Sequence, residues 1–301
     1  MTATRTAAPT TVVDQDMNGG AMGTTGRSVY GLCVHGLDEV EELPPSDAHP
    51  DRPAVRVGQT TAVPPPPVPI DLDGGVRVLA DGRTLAVDRR RGTATFHGPP
   101  LAPDVLAHPY LAPVATVFNR WAGRETFHSG AFVHAGRAWA VVGPRTAGKS
   151  SLLAALAARD VPVVADDILV VDQTEVYAGP RCIDLREPVP GPVLSTRTVR
   201  SGERLRVALP PIADRTPLGG WLFLGWDRTP TTTPVPPAEL LARLAGCRSW
   251  PRLPTDPTAL LGIAALPAWD LSRPRDWAVL GPTLRLVERT LTAARAVAAS
   301  R

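Results

Sequence analysis

The chain has 301 residues, 44% of them hydrophobic and 20% charged, enough for one large domain or two modest ones. That apolar fraction excludes collagen-like, mucin-like and wholly disordered classes, and 34 prolines with 26 glycines exclude a mostly helical protein. The 32 basic and 29 acidic residues leave a formal net charge of +3, and apart from Arg89-Arg90-Arg91 the basic residues are scattered. A nucleic-acid partner would need them gathered into a stripe, so none is expected.

Residues 1–28 carry no apolar core of a signal peptide and read as a flexible polar tail, which points to a cytoplasmic protein. Val29 to Val34 and Ala54 to Val57 read as short strands, and Pro64 to Pro67 as a stiff connector. From Ile70 to Phe96 apolar and polar residues alternate around Asp81-Gly82 and Arg91-Gly92, the pattern of a small antiparallel meander. Residues 29–100 are thus a β-rich N-terminal region. Arg89 to Arg91 end one of its strands, as an exposed turn or as a contact for phosphate or an acidic partner.

A second region, 101–301, opens with apolar residues at helical spacing from Ala102 to Trp121, interrupted near Pro109 or Pro113 and stopped by Gly123. Strands follow at Phe127 to Val133 and Trp139 to Val142, joined at Ala135-Gly136. Next come a helix from Ser150 to Arg159 and a strand from Val161 to Val171. Further strands are expected at Arg204 to Leu209 and Trp221 to Leu224, and helices at Ala238 to Leu244 and Pro282 to Ala299. Strand, loop, helix, strand is the grammar of an α/β sheet.

The three cysteines, Cys33, Cys182 and Cys247, offer neither a disulfide framework nor a zinc spacing and read as reduced, mostly buried thiols. No apolar stretch approaches the ~20 residues a membrane span needs, so no membrane partner is expected.

Between the strand RAWAVVG and the helix SSLLAALAAR lies Gly143-Pro144-Arg145-Thr146-Ala147-Gly148-Lys149-Ser150, which fits GxxxxGK[ST]. Such a loop wraps phosphate oxygens in backbone N–H groups, and the following helix adds its positive N-terminal dipole. Lys149 can reach the β- and γ-phosphates, and the Ser150 hydroxyl can ligate Mg²⁺. Residues 143 and 145–151, Ser151 included, are therefore the candidate nucleotide cradle, with ATP and Mg²⁺ as expected cofactors. Lys149 is the only lysine in the chain; the other 31 basic residues are arginines. A lone compact ammonium in such a background marks a place that a planar fork cannot fill.

Asp166 and Asp167 interrupt the apolar run VPVVADDILVV, 17 residues after Lys149, which leaves room for one helix and a return strand. Buried carboxylates are costly unless paired or holding a metal. The chemical reading is a metal-associated acid plus a general base for a hydroxyl; a strand end with two solvated or capping carboxylates is the alternative.

The stretch GPRTAGKSSLLAALAARDVPVVADD resembles the nucleotide-binding core of bacterial HPr kinase/phosphorylase and its shorter HPr-kinase-like relatives. That family shares a phosphate-loop fold with phosphoenolpyruvate carboxykinases. The resemblance covers about Phe127 to Val171 and includes His128 in FHSGAFV, 21 residues before Lys149; VYAGPRCIDL, GERLRVALPP and LPAWDLSRPRD match later segments more weakly. It implies an α/β phosphate-loop core with a mixed sheet and ATP- and Mg²⁺-dependent phosphoryl transfer to a hydroxyl, that of a serine in a peptide or protein acceptor. By resemblance Asp166 is the base, Asp167 the Mg²⁺ partner beside Ser150, and His128 a neighbour of the γ-phosphate. Arg204 and Arg206 are candidate phosphate contacts, or solvated strand-edge arginines. RCIDLRE stands where full enzymes carry LEVRGLGI, so HPr itself and the reverse reaction do not carry over. A non-transferring ATP-binding accessory of a peptide-modification pathway is the second reading, and the oligomeric state is open, a homo-oligomer included.

Overall fold

The computed structural model describes residues 26–46, 52–191, 195–250, 252–253 and 256–299, with side chains described through residue 294. The expected tail lies outside the described residues up to position 25, and Arg27 already belongs to a strand.

Strands β1 (Arg27–Val29), β2 (Leu32–His35), β3 (Ala54–Thr60), β4 (Gly74–Val78), β5 (Thr84–Asp88) and β6 (Thr93–His97) form one sheet in the order β1-β2-β3-β6-β5-β4. The alternation that marks a half-buried strand puts Val55, Val57, Leu85, Val87, Ala94 and Phe96 in its core. Helix α1 (Pro103–Val105) passes through a π-type turn (Leu106–Tyr110) into α2 (Leu111–Trp121). His108 leaves helical geometry (φ −152°, ψ 117°) directly before Pro109, where the pyrrolidine ring disfavours the helical conformation of its predecessor. Val114, Val117 and Phe118 of α2 share the core of this first sheet.

Chain order continues with β7 (Glu125–Phe127), β8 (Ser129–His134), β9 (Arg137–Val142), α3 (Lys149–Ala157), β10 (Val163–Ala165), β11 (Leu169–Asp172) and β12 (Glu175–Tyr177). Then come β13 (Cys182–Leu185), β14 (Thr196–Val199), β15 (Arg204–Ala208), β16 (Arg215–Trp226) and β17 (Thr231–Pro234). Helices α4 (Pro237–Cys247) and α5 (Pro257–Ala264), strand β18 (Ala268–Arg273) and helix α6 (Leu280–Ala299) complete it. A nine-stranded mixed sheet runs β10-β8-β9-β16-β12-β11-β7, with β18 beside β16 and β17 beside β18, and β13-β15-β14 form a small antiparallel sheet. The protein is mixed α/β.

In the large sheet β9, β16 and β18 are parallel. Strand β8 is antiparallel to β9, and β10 to β8, so β10 runs with β9. The carboxyl ends of four strands and the amino end of β8 therefore meet along one edge, where ligand sites of open α/β sheets form. Both faces are covered. Trp139, Val141, Leu222 and Leu271 pack with Leu152 and Leu153 of α3 and Leu284 and Val287 of α6. Ala140, Val142, Trp221 and Phe223 pack with Leu240 and Leu244 of α4 and Ile263 of α5. Two-sided burial accounts for near-continuous apolar strands such as AWAVV.

Four expected strands differ from the structure. Val29 to Val34 is divided into β1 and β2 by a turn at Tyr30-Gly31, and Phe127 to Val133 is divided into β7 and β8 at His128. The strand expected over Val161 to Val171 is broken into β10 and β11 by a turn at Asp166–Ile168. The one expected at Trp221 to Leu224 is the second half of the 12-residue β16, whose first half pairs with β12 and whose second half pairs with β9 and β18.

Candidate active site

The loop after β9 curls back over the strand end because Thr146 (φ 71°) and Gly148 (φ 79°) both take left-handed backbone conformations. Gly148 is the N-cap of α3, and a Cβ there would stand 2.8 Å from an Arg273 guanidinium nitrogen, so space as well as conformation requires glycine. Lys149, 8% exposed, folds its ammonium onto the loop, donating to the carbonyls of Gly143 (2.8 Å) and Pro144 (3.4 Å). Burial outweighs the charges of Asp166 and Asp167 and lowers its pKa. Arg145 and Thr146 are exposed at the lip of the loop, Ala147 is buried beneath it, and Ser151 lines the cleft beside Ser150.

The aspartates owe their placement to the turn that breaks the strand. Asp167 has φ 75°, and the Ile168 N–H donates to the Asp166 carbonyl at 3.0 Å, closing a three-residue turn with Asp167 at its apex. The pleat that would send neighbours to opposite faces ends here, and both residues line the cleft. They differ in role. The Ser150 hydroxyl donates to Asp166 Oδ1 at 3.1 Å, whereas Asp167 Oδ1 lies 3.9 Å from His128 Nδ1 at the mouth of the cleft. The resemblance sets Asp167 beside Ser150 as the Mg²⁺ partner; here the Ser150 hydroxyl donates to Asp166, which ends the buried strand, while the left-handed turn carries Asp167 outward.

Burial, then the neighbouring charge of Asp167, pushes the Asp166 carboxyl up to about 7, against its bonds from Ser150 and the Asp167 N–H and the charge of Lys149. Two adjacent carboxylates and a hydroxyl make a hard-oxygen donor set whose mutual repulsion a divalent cation would relieve, so the residues fit magnesium. Partial burial and the Lys149 ammonium hold His128 below the usual histidine value, against the charge of Asp167.

Support comes from three directions. Tyr30, on the turn between β1 and β2, donates its hydroxyl to the Asp166 carbonyl at 3.1 Å. Arg181 caps the edge of β10 by donating to the carbonyls of Val163 (2.7 Å) and Val164 (3.2 Å). Gly130 of β8 lets α3 approach, as a Cβ there would meet Leu153 Cδ1 at 2.4 Å.

The cleft measures about 810 Å³. Its lining includes His108, Asp184, Arg200 and Arg204 on the side of the aspartates, Trp226 and Arg273 beside Gly148, and Trp277. Arg204 thus lines the cleft. Arg206 does not: 1% exposed, it donates to Asp184 through Nε (2.7 Å) and Nη2 (3.0 Å) and to the carbonyls of Asp104 and His108. Alternation puts Arg204 and Arg206 on one face of β15, so what separates them is not the pleat but the Asp184 carboxylate that engages Arg206. His108, Cys182 and Asp184 bring potential ligand atoms within 4.8 Å of one another, but Asp184 already accepts from Arg206 and from Arg200 (2.8 Å), so guanidinium charge fills that cluster. Trp226 and Arg273 were not legible as site residues; the signal was their place at the ends of parallel strands, once β18 is known to join β16.

No family model matches the chain, and no curated protein matches it. Among solved structures it is similar to the HPr(Ser) kinase/phosphatase from Coxiella burnetii, at 13% identity and a TM-score of 0.30 over 58% of this chain and 99% of that one. A likeness that distant assigns neither family nor chemistry, and the case for this site rests on the chain's own residues.

Proposed function

We propose that the protein is an ATP- and magnesium-dependent phosphotransferase of the HPr-kinase-like type, acting on a hydroxyl of a peptide or protein. The observation that carries this reading is the Ser150–Asp166 contact of 3.1 Å beside Lys149, at the end of a GxxxxGKS loop on the carboxyl edge of a sheet. A magnesium ion held by Ser150 and Asp166 would supply charge neutralisation at the phosphate oxygens. The loop N–H groups and Lys149 bind the β- and γ-phosphates, Lys149 exchanging its carbonyl partners for phosphate oxygens. Asp167, turned toward the mouth of the cleft beside His128, takes the proton of the acceptor hydroxyl. His128 orients Asp167 and lies beside the transferred group. Pairing the reactants in line supplies most of the acceleration.

The test uses γ-labelled ATP with the peptides and proteins encoded beside this chain, followed by mass spectrometry for a gain of one phosphate. Label should move to a hydroxyl of one of them. Lys149→Ala should abolish nucleotide binding, Asp166→Asn should remove its magnesium dependence, and Asp167→Asn should bind ATP yet stop transfer. Normal turnover by Asp167→Asn would overturn the base assignment. Tight ATP binding with phosphate released only to water would replace the kinase by a non-transferring accessory protein.

A further inference from the structure

The part of the cleft beside Gly148 holds an arginine in an unusual state. Arg273, at the carboxyl end of β18, is 7% exposed and stands in no ion pair among the described residues. Its Nη2 donates to the carbonyl of Ala147 in the phosphate loop at 2.7 Å, while Nη1 is buried without a hydrogen-bond partner. Burial alone lowers its pKa to about 10, with no carboxylate acting on it. A guanidinium shut from water with an unused donor costs free energy unless an anion arrives.

Beside it stands Trp226, at the carboxyl end of β16. The Arg273 guanidinium carbon lies 4.5 Å over one face of the indole, yet the ring remains 43% exposed along the cleft. Ligand pockets are lined largely by apolar and aromatic side chains, and a second partly exposed tryptophan, Trp277 at 38%, also lines the cleft. The indole also touches the loop itself: a Cβ on Gly148 would meet Trp226 carbons at 3.4 and 3.7 Å. An uncompensated cation, an open π-face and the phosphate loop are thus contiguous.

We propose that Trp226 and Arg273 form the nucleoside half of the cleft, the base stacking on the open face of Trp226 and Arg273 offsetting the charge of the polyphosphate. The nucleotide then runs in one direction only, from the base at the ends of β16 and β18, through the loop after β9, to its terminal phosphate at the Asp166–Asp167 turn after β10. The lining around His108 and Arg204 is then left for the acceptor. Stacking tolerates any base with a π-face, and purines offer the larger one. This inference rests on the nucleotide reading given above, and the following comparison separates the two.

Affinities of magnesium·ATP and of magnesium·tripolyphosphate are measured by calorimetry on the full chain and its variants. Trp226→Ala should weaken ATP about tenfold, as loss of one stacking contact does, and change tripolyphosphate by no more than about twofold. Trp226→Phe should recover most of the ATP affinity, and Arg273→Gln should weaken both ligands. Unchanged ATP affinity in Trp226→Ala places the base elsewhere and overturns the proposal while leaving nucleotide binding intact. Equal losses for both ligands also overturn it, because Trp226 would then only shape the loop. If the unaltered protein binds neither ligand, the nucleotide reading itself falls first.

Discussion

Asp166 shows what a buried carboxyl beside a second carboxyl costs a fold. A carboxyl 4% exposed, with Asp167 next to it, holds its proton to about pH 7 in the folded chain, whereas it would release it near 4 when unfolded. The folded-state value is the higher one, so the folded state binds the extra proton and is favoured at low pH. As pH rises through the window from about 4 to about 7, that advantage is lost, and above it the buried charge is a net penalty. In metal- and nucleotide-free protein Asp166→Asn should therefore raise the melting temperature by several degrees at pH 8 and by little at pH 5. Thermal unfolding in chelator at the two pH values measures it; an equal shift at both would show that the charge is not the cause. Asp167 imposes a different constraint, because its φ of 75° suits Asp, Asn or Gly and strains a β-branched side chain. Asp167→Asn is for that reason the substitution that removes charge while keeping the turn.

At the scale of elements, the sheet edge was partly legible and partly hidden. GPRTAGKS between an apolar strand and an apolar helix stands out because GxxxxGK[ST] fixes residue types at fixed offsets, and Asp166 follows from it by one helix and a return strand. The break at Asp166–Ile168 does not, since VPVVADDILVV is apolar enough for one long strand and only the left-handed Asp167 ends it. Strand β18 was missed for a different reason. AWDLSR carries mixed polarity, and its strand character comes from parallel pairing with β16, a contact made across more than forty residues of sequence. With β18 unread, nothing in the sequence put Arg273 beside the loop. Packing of α3 on β8 is equally silent in the sequence and yields a prediction. A Cβ at Gly130 would lie 2.4 Å from Leu153 Cδ1 and 2.9 Å from the Ala165 carbonyl, one residue from Asp166. Gly130→Ala should cost about 1–3 kcal/mol of stability, the usual penalty of overpacking, and weaken magnesium·ATP binding with it. Denaturant unfolding and titration of the same sample test this; wild-type values for both would mean that Leu153 simply rotates away.

Across the molecule, the first sheet and the nine-stranded sheet are joined by polar side chains as well as by the shared core. Tyr30 reaches the Asp166 carbonyl, Asn119 of α2 donates to the Tyr30 carbonyl at 2.9 Å, and Arg206 ties β15 to β13, α1 and the chain after β2. Arg206 was a candidate phosphate ligand, and its surroundings give the reason it is not. Its fork is matched by Asp184, whose side chain is 4% exposed, with Glu42 at 3.4 Å, so its charge is spent inside the protein. Removing Arg206 leaves the buried Asp184 carboxylate with Arg200 alone, at 2.8 Å. Arg206→Ala should cost about 3 kcal/mol, the low end for breaking a buried pair, and Arg206→Lys should recover only part because an ammonium cannot replace the two-pronged contact. The double variant Arg206→Met with Asp184→Leu, which removes both charges, should be more stable than Arg206→Ala alone. Urea unfolding of the ligand-free chain reads all three. If Arg206→Ala unfolded at the wild-type midpoint but bound magnesium·ATP far more weakly, Arg206 would be a phosphate ligand after all, and the division between a structural β15 arginine and the cleft-facing Arg204 would have to be redrawn.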